Sequence, residues 1–206
     1  MLRKIKQQMR LIWRQRRMSA FIELMHLKKG VKIIDLGGTP QWWEMLDIDL
    51  DVTLLNLRPI QNWWKEPLKH NYQFVVGDAC DVTDFADNEF DVVFSNSVIE
   101  HVGPFEQQEA FARTVQRLAP SYWIQTPSIW FPIEAHCDLP LWWFYPQPVK
   151  LVWMRRWQQH KPNYWNMMTD TRVLKLSHLK SLFPEAQVYT EYVAGFPKSY
   201  SMYKLK

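Results

Sequence analysis

Cysteine is scarce in this chain of 206 residues, which contains only Cys80 and Cys137. Two thiols cannot form the disulfide framework of a small secreted protein, and such scarcity is typical of a reducing compartment. No apolar run approaches the length that spans a bilayer, since the richest one, residues 139–149, is interrupted by three prolines. The N-terminus lacks the apolar segment of a secretory signal peptide. These absences predict a cytoplasmic location.

Glycine is also scarce, with six residues in the whole chain, and this limits the nucleotide-binding motifs that are possible. No glycine loop is followed by Lys-Ser or Lys-Thr, so the sequence has no P-loop. The G-x-G-x-x-G turn of nicotinamide dehydrogenases requires a third glycine, and the register that starts at Gly37 reads Gly-Gly-Thr-Pro-Gln-Trp. A dehydrogenase is therefore disfavoured.

Four short apolar runs, rich in β-branched residues, predict neighbouring buried strands at residues 31–36, 52–56, 74–79 and 90–97. Gly37 and Gly38 permit a sharp turn after the first run, and Thr39 and Pro40 are suited to start a helix there. Polar residues close each run, and the carboxyl ends of parallel strands meet at the edge where ligands bind. The pattern predicts an α/β sheet with a pocket for a nucleoside-bearing cofactor.

The ordered motifs IIDLGG, VTLLNL, VVGDA and FDVVFSNSVIEHV resemble those of class I S-adenosylmethionine-dependent methyltransferases of the type 11 group. The resemblance covers about residues 30–135 and implies S-adenosylmethionine (S-adenosyl-L-methionine) as the cofactor. It also implies a Rossmann-like, doubly wound sheet of seven strands, mostly parallel with a C-terminal antiparallel hairpin. The alternating stretches 187–193 and 199–205 fit that hairpin.

Position by position, the resemblance implies that Asp35, Gly37 and Gly38 hold the methionine part of the cofactor. Asn56 stands where the family usually has an acid that holds the ribose hydroxyls. The chain departs from the family at two points, because the usual third glycine is missing near Pro40 and because Asn56 is neutral. Asparagine can still donate and accept a hydrogen bond at that position.

The two later motifs supply the remaining cofactor-binding positions that the resemblance implies. Asp78 matches the residue that accepts a hydrogen bond from the adenine amino group, and Ala79 matches the residue whose backbone N–H faces the ring. Ser95 and Asn96 match the fourth-strand segment beside the methionine and the reacting methyl group.

Positive charge is concentrated at the N-terminus, where seven of the 25 basic residues precede the first acidic residue. The net charge of +4 is therefore a property of this segment. Ile5, Met9, Ile12 and Trp13 recur with a helical period and predict a basic amphipathic helix within residues 1–29. In order of preference, the helix packs on the sheet with a solvated basic face, contacts a membrane surface, or contacts nucleic acid.

Aromatic residues are concentrated between residues 121 and 170. Within a single domain of residues 1–206, we expect residues 137–183 to form a helical cover over the substrate, as the resemblance implies. The aromatic side chains could bind a flat or lipid-linked acceptor, or they could form the core of a helical insertion.

His101, His136 and Glu134 are the candidates for a general base, which a hydroxyl acceptor would require. His101 follows the fourth strand, and the other two lie after the fifth. Each histidine could instead have a purely structural role. Glu134, His136 and Cys137 also have the spacing of metal ligands, but no matching pair stands elsewhere at a known spacing, so no metal is predicted.

The sequence thus predicts a methyltransferase that acts on a small or lipid-linked acceptor, with oxygen favoured as the acceptor atom; peripheral membrane contact through the N-terminal helix is left open as the second interpretation of that helix. One alternative is an RNA methyltransferase that uses this helix, and another is a catalytically silent binding protein with the same fold. Nucleic acid is disfavoured because residues 95–98 read Ser-Asn-Ser-Val, without the Asn/Asp-Pro-Pro-Tyr/Phe motif of base and amide methyltransferases.

Overall fold

A seven-stranded sheet forms the centre of the computed structural model, which describes residues 2–61 and 67–206, without the side chains of residues 2–7 and 10. The strands are β1 Lys32–Leu36, β2 Asp51–Asn56, β3 Asn71–Val76, β4 Val92–Asn96, β5 Ser121–Pro127, β6 Gln187–Val193 and β7 Phe196–Lys204. Their order is β3-β2-β1-β4-β5-β7-β6, and β7 runs antiparallel to both of its neighbours. The predicted Rossmann-like fold with a C-terminal antiparallel hairpin is confirmed.

Helices cover both faces of the sheet. They are α1 Leu2–Leu24, α2 Pro40–Trp43, α3 Phe105–Leu118, α4 Gln147–His160, α5 Pro162–Asp170 and α6 Leu176–Leu182, with a 3-10 turn at Trp142–Phe144. The strand order reverses between β2 and β4, on either side of β1. In open α/β sheets this reversal places a crevice outside the carboxyl ends of the strands, and the candidate site lies there.

The third strand differs from its predicted position, because it starts at Asn71 and ends at Val76. It is one of the two edge strands of the sheet, pairs with β2, and contains only exposed and half-buried residues. An edge strand can contain polar residues. The apolar run from residue 74 therefore marks only part of β3, and the polar residues at its start gave no sign of the strand.

One face of the sheet is covered by the C-terminal half of α1. Met18, Phe21 and Met25 are buried there, and the Phe21 ring packs edge-on against the rings of Phe94 and Trp123. On the opposite face, α3 and α6 pack against the sheet in a second apolar core. The two cores fix the strand ends from both sides and thereby position the site.

The N-terminal half of α1 is less buried than its C-terminal half. Met9 and Ile12, which the helical period placed on the apolar face, are 39% and 44% exposed, and the side chain of Ile5 lies outside the described residues. The helix buries Met18 and Phe21 instead, because only its C-terminal half faces the strands. None of the described helices is long and apolar enough to cross a membrane.

The aromatic region forms a small core of its own. Trp142 and Trp157 are buried together, with ring centroids 5.1 Å apart, and the surrounding aromatics come from the 3-10 turn, α4 and α5. This aromatic core includes residues of α5 but not of α6. Leu179 and Leu182 of α6 pack instead in the core beneath the sheet. Most of these aromatics therefore serve packing.

Candidate functional site

A glycine turn follows β1 at the centre of the crevice. Gly37 has a φ of +83°, and a Cβ at this position would lie 2.6 Å from a methyl carbon of Val98. A Cβ at Gly38 would overlap the carboxylate of Asp35. Both glycines are therefore required by the shape of the turn itself.

Asp35 lies beneath this turn and is fully buried. Its Oδ2 accepts a hydrogen bond of 2.9 Å from the indole N–H of Trp43, and its Oδ1 has no partner among the described residues. Burial raises the pKa of Asp35 to about 7, against the opposing effect of the Trp43 hydrogen bond. The carboxylate supports the turn from inside and does not face the open crevice.

Asn56, at the end of β2, braces the same turn. Its side-chain N–H donates a 3.0 Å hydrogen bond to the backbone carbonyl of Gly38. An ionised aspartate or glutamate has no hydrogen to donate and could not form this bond. The bond therefore explains why a neutral asparagine is suited to this position. The helix that follows begins at Pro40 as predicted but has only four residues, and Thr39 makes no capping bond through its side chain.

The ends of β2 and β3 present polar and apolar groups side by side. Asp78 is exposed, and its Oδ1 accepts a 2.9 Å hydrogen bond from the backbone N–H of Cys80. Ala79 is buried behind it. Leu57, directly after β2, is 72% exposed and offers apolar surface at the same edge.

The fourth strand carries Ser95 and Asn96 to the other side of the crevice. Ser95 is buried, and its hydroxyl donates to the carbonyl of Leu36, which ties β4 to β1. The amide oxygen of Asn96 accepts a 2.6 Å hydrogen bond from Arg17 of α1. Of these two residues, Asn96 lines open space and Ser95 is a packing residue.

A cavity of about 380 Å³ opens beside Asn96, between α1, the ends of β4 and β5, and the segment after β5. This volume is within the range of small-molecule sites. Most of its surface is apolar, and four aromatic side chains contribute to it: Trp13, Trp42, Phe131 and Trp143. Polar and charged side chains, among them Asn96 and Glu134, lie between them. It adjoins the glycine turn through Trp42, which follows that turn on α2.

Arg17 is a site residue that sequence reasoning missed. The solvated basic face that was predicted for α1 is interrupted by this side chain, which is buried and donates to Asn96, Gln125 and Glu191. Burial alone would raise the pKa of Glu191, but the charges of Arg17 and Lys198 lower it. The only sequence signal for this contact is an acidic residue in the predicted C-terminal hairpin, far along the chain.

The three candidates for a general base lie together beside the cavity. His101 Nε2 and His136 Nε2 are 3.1 Å apart, and His136 Nδ1 is 2.7 Å from Glu134 Oε1. Glu134 also accepts hydrogen bonds from the backbone N–H groups of His136 and Cys137. The structure therefore brings Glu134, His136 and His101 into one hydrogen-bonded chain.

Burial, and after it the charge of the neighbouring His136, lower the pKa of His101 to about 4. Burial opposes the charge on His136, but its bond to Glu134 and the carboxylate charge raise its pKa above the ordinary value. Burial also favours the neutral acid at Glu134, yet its hydrogen bonds from His136 hold its pKa below the usual range. A proton between the two Nε2 atoms would therefore reside on His136.

A second carboxylate borders this chain. Glu100 is fully buried at the turn after β4, and the hydroxyl of Thr126 donates a 2.9 Å hydrogen bond to its Oε2. Burial raises the pKa of Glu100 to about 7. Glu100 could not be predicted as a site residue from the sequence, because one glutamate after a strand is no signal without its spatial partners.

The family model described as "Methyltransferase domain" matches residues 37–121 of this chain. No curated protein sequence matches this chain significantly. Among solved structures, a phosphoethanolamine N-methyltransferase 2 from Haemonchus contortus, in complex with phosphomonomethylethanolamine and S-adenosylhomocysteine, is similar with a TM-score of 0.56 and 15% identity. The similarity covers 85% of this chain and 38% of that one, so this chain spans well under half its length.

Two further structures share the fold. One, from Anabaena variabilis, is described as a methyltransferase of an antibiotic biosynthesis pathway (TM-score 0.54, 19% identity, 85% of this chain and 64% of that one). The other comes from a complex of the Haloferax volcanii Trm112 methyltransferase activator with a protein described as a methyltransferase (TM-score 0.53, 12% identity, 88% and 84%). Residues 37–121 thus match the methyltransferase domain model, and the chain has the fold of these methyltransferase structures, as the sequence resemblance implies.

Proposed function

We propose that this protein is an S-adenosylmethionine-dependent methyltransferase that transfers a methyl group to a small or lipid-linked acceptor, at oxygen. One observation carries the proposal: the glycine turn and the polar ends of β2 and β3 adjoin an aromatic cavity at the end of β4. When bound, the cofactor supplies an electrophilic methyl carbon on a sulfonium. The task left to the protein is to hold the two reactants in line, and such positioning can supply much of the rate.

The residues at the strand ends fit an adenosyl group. Gly37 exposes its backbone at the turn, and Asn56 and Asp78 offer polar groups for the ribose and for the adenine amino group. The exposed side chain of Leu57 offers an apolar surface for the planar ring, with Ala79 buried beside Asp78. Asp35 would act from beneath the turn as a positioning residue.

The acceptor would occupy the aromatic cavity. Its walls favour a flat or apolar molecule, and aromatic faces also attract a cationic sulfonium. Asn96 lies where the cavity meets the cofactor edge, so the methyl group would pass close to this side chain. Glu134 lines the same cavity, and we propose that the chain of Glu134, His136 and His101 activates the acceptor hydroxyl.

Calorimetric titration with S-adenosylhomocysteine tests the cofactor assignment. We expect the wild-type protein to bind it at one site and Asp78→Ala to bind about 1–3 kcal/mol more weakly, because the adenine amino group loses its acceptor. Asp84→Ala, an exposed acid nearby in the chain, is the matched control and should bind like the wild type. No binding by the folded wild-type protein would favour the silent binding protein instead.

Transfer of a labelled methyl group to a metabolite or lipid extract tests the histidine chain. His136→Ala should lose transfer while it keeps its affinity for S-adenosylhomocysteine, since the ring lies outside the strand-end cradle. Unchanged transfer in both His101→Ala and His136→Ala would rule out the role proposed for them.

We also infer that α1 lies against a membrane surface, on the cytoplasmic side, where a lipid-linked acceptor would be found. Leu11 and Ile12 are exposed on the N-terminal half of α1, and the exposed Arg16 lies one turn away, whereas Met9 lines the cavity. Exposed apolar residues among basic ones are typical of helices at anionic membrane surfaces. The same half of α1 contributes Trp13 to the cavity, which would place the cavity near the lipid.

A further inference from the structure

The two imidazole rings of His101 and His136 face each other through the same atom. Their Nε2 atoms are 3.1 Å apart, and the ring planes are nearly perpendicular, at 85°. His101 lies in the turn after β4, whereas His136 lies in the segment after β5. Two distant parts of the chain therefore meet at a single point between these nitrogen atoms.

Hydrogen bonds fix the opposite nitrogen of each ring. His136 Nδ1 donates to the carboxylate of Glu134 at 2.7 Å. The hydroxyl of Thr171 donates its proton to the carbonyl of Met167, so at 3.4 Å it can only accept from His101 Nδ1. With both Nδ1 atoms protonated, the Nε2 lone pairs of the two rings point at each other, an arrangement that a cation between them stabilises, whether a proton held on His136 or a metal ion.

A buried carboxylate supplies negative charge at the same point. Glu100 is fully buried, and one ligand atom each from Glu100, His101 and His136 lie within 4.8 Å of one another. Thr126 occupies Oε2 of Glu100, but Oε1 has no hydrogen-bond partner among the residues that the structure describes. A buried carboxylate oxygen without a partner is costly, and a metal ion removes that cost.

We propose that Glu100, His101 and His136 bind a divalent transition-metal ion, for which zinc is the best-suited common metal. Two imidazole nitrogens and one carboxylate are a donor set typical of zinc. Ligand atoms about 2.0–2.1 Å from a tetrahedral ion lie about 3.3 Å from each other, close to the separation of the two nitrogens. Three protein ligands leave a fourth position open, as in catalytic zinc sites.

The surroundings resemble the outer shell of a metal site. Ligating histidines usually donate their second N–H to a carboxylate or another acceptor, and Glu134 and Thr171 fill these places here. Glu134 also lines the cavity, so a bound ion would lie directly behind its wall. The ion would connect the segment after β5 to the turn after β4 and fix the acceptor side of the site. With the ion bound, both histidine Nε2 atoms would be ligands, so the open position of the ion, and not a free imidazole, would activate the acceptor hydroxyl. Ion binding itself does not depend on the proposed function.

Zinc titration of the full chain, after treatment with a chelator and without any cofactor, tests the proposal. We expect one zinc ion per chain, and an affinity more than about 100-fold lower in His136→Ala and in Glu100→Gln, a substitution of nearly equal shape. Glu134→Gln should lose about 10–100-fold, because it only orients a ligand. His160→Ala, an exposed histidine at the end of α4, is the matched control and should bind like the wild type.

Two results would overturn the proposal: a wild-type chain that binds no zinc, or one whose affinity is equal in the wild type, Glu100→Gln and His136→Ala. Replacement of zinc by cobalt adds a second readout, since the visible absorption spectrum of a tetrahedral site should appear in the wild type and vanish in Glu100→Gln. Affinity for S-adenosylhomocysteine is measured separately, so failure of the metal site and failure of the methyltransferase assignment remain distinguishable.

Discussion

At the residue scale, Arg17 shows how a side chain from α1 organises the strand ends. Its guanidinium is buried and donates to Asn96 of β4, Gln125 of β5 and Glu191 of β6. A planar group with several donors suits such a position, because it can satisfy three acceptors at once. The contact holds α1 and three strands in one arrangement beside the cavity.

Replacing Arg17 by methionine should lower the free energy of unfolding by about 3 kcal/mol, because a buried charge on Glu191 loses its main partner. Urea unfolding measures the change, with Arg16→Met as the control, since Arg16 is exposed and should shift stability by less than about 0.5 kcal/mol. Equal effects of the two substitutions would show that the guanidinium of Arg17 is not held in the interior.

Asp35 makes a prediction about pH. Its pKa rises from an ordinary value of 3.8 to about 7 on folding. Below the ordinary value, the carboxyl is protonated in both states; between the two values, only the unfolded chain ionises, so the stability that Asp35 contributes is lost as the pH rises towards 7. Asp35→Asn cannot ionise and should gain about 3 kcal/mol of stability relative to the wild type between pH 5 and pH 8, because the wild type loses about 1.4 kcal/mol per pH unit from pH 5 to about 7.

Urea unfolding of the wild type and of Asp35→Asn at pH 5 and pH 8 measures this difference in stability. Other titrating groups contribute equally to both proteins, so their contributions cancel. The exposed Asp84, changed to asparagine, is the control and should show the same difference from the wild type at both pH values. A constant difference for Asp35→Asn would contradict the buried position of the carboxylate beneath the glycine turn.

At the scale of elements, the two halves of α1 have different roles. The C-terminal half packs on the sheet, and the N-terminal half exposes Leu11 and Ile12. We expect Leu11→Ser with Ile12→Ser to weaken binding to phosphatidylserine-containing vesicles by at least about tenfold, because apolar area is lost from the bound face. Vesicle flotation measures this.

Val152→Ser is the matched control for the vesicle experiment, since Val152 of α4 is 66% exposed but lies away from α1. It should bind like the wild type. If the double variant of α1 also binds like the wild type, or if the wild type floats equally well with neutral vesicles, α1 is not an element that recognises anionic membranes.

The elements also show what could be predicted from the sequence. The central strands were predictable because buried parallel strands are continuous apolar runs, and the glycine turn followed from residues that need space. The buried face of α1 was not, because several faces of that helix carry apolar residues and only the sheet selects among them. The contact of His101 with His136 joins residues 35 apart in the chain, and no local pattern reports such a meeting.

At the scale of the whole molecule, the fold places two separate chemical environments on one edge of the sheet. The ends of β2 and β3 offer exposed polar groups around a glycine turn, and the ends of β4 and β5 border an aromatic cavity. The position of this edge follows from the strand order, because ligands bind at the carboxyl ends of parallel strands, where the order of the strands reverses. The cavity itself depends on how α1 and the segment after β5 pack, which the sequence did not reveal.

A crystal structure of the protein soaked with S-adenosylhomocysteine tests the central claim most directly. We predict electron density for the nucleoside along the carboxyl ends of β1 to β4, with the adenine amino group within hydrogen-bond distance of Asp78, the ribose beside Asn56, and the sulfur pointing towards Asn96 and the cavity. Density elsewhere on the protein, or a crevice closed by Leu57 and the glycine turn with no room for the nucleoside, would contradict the account.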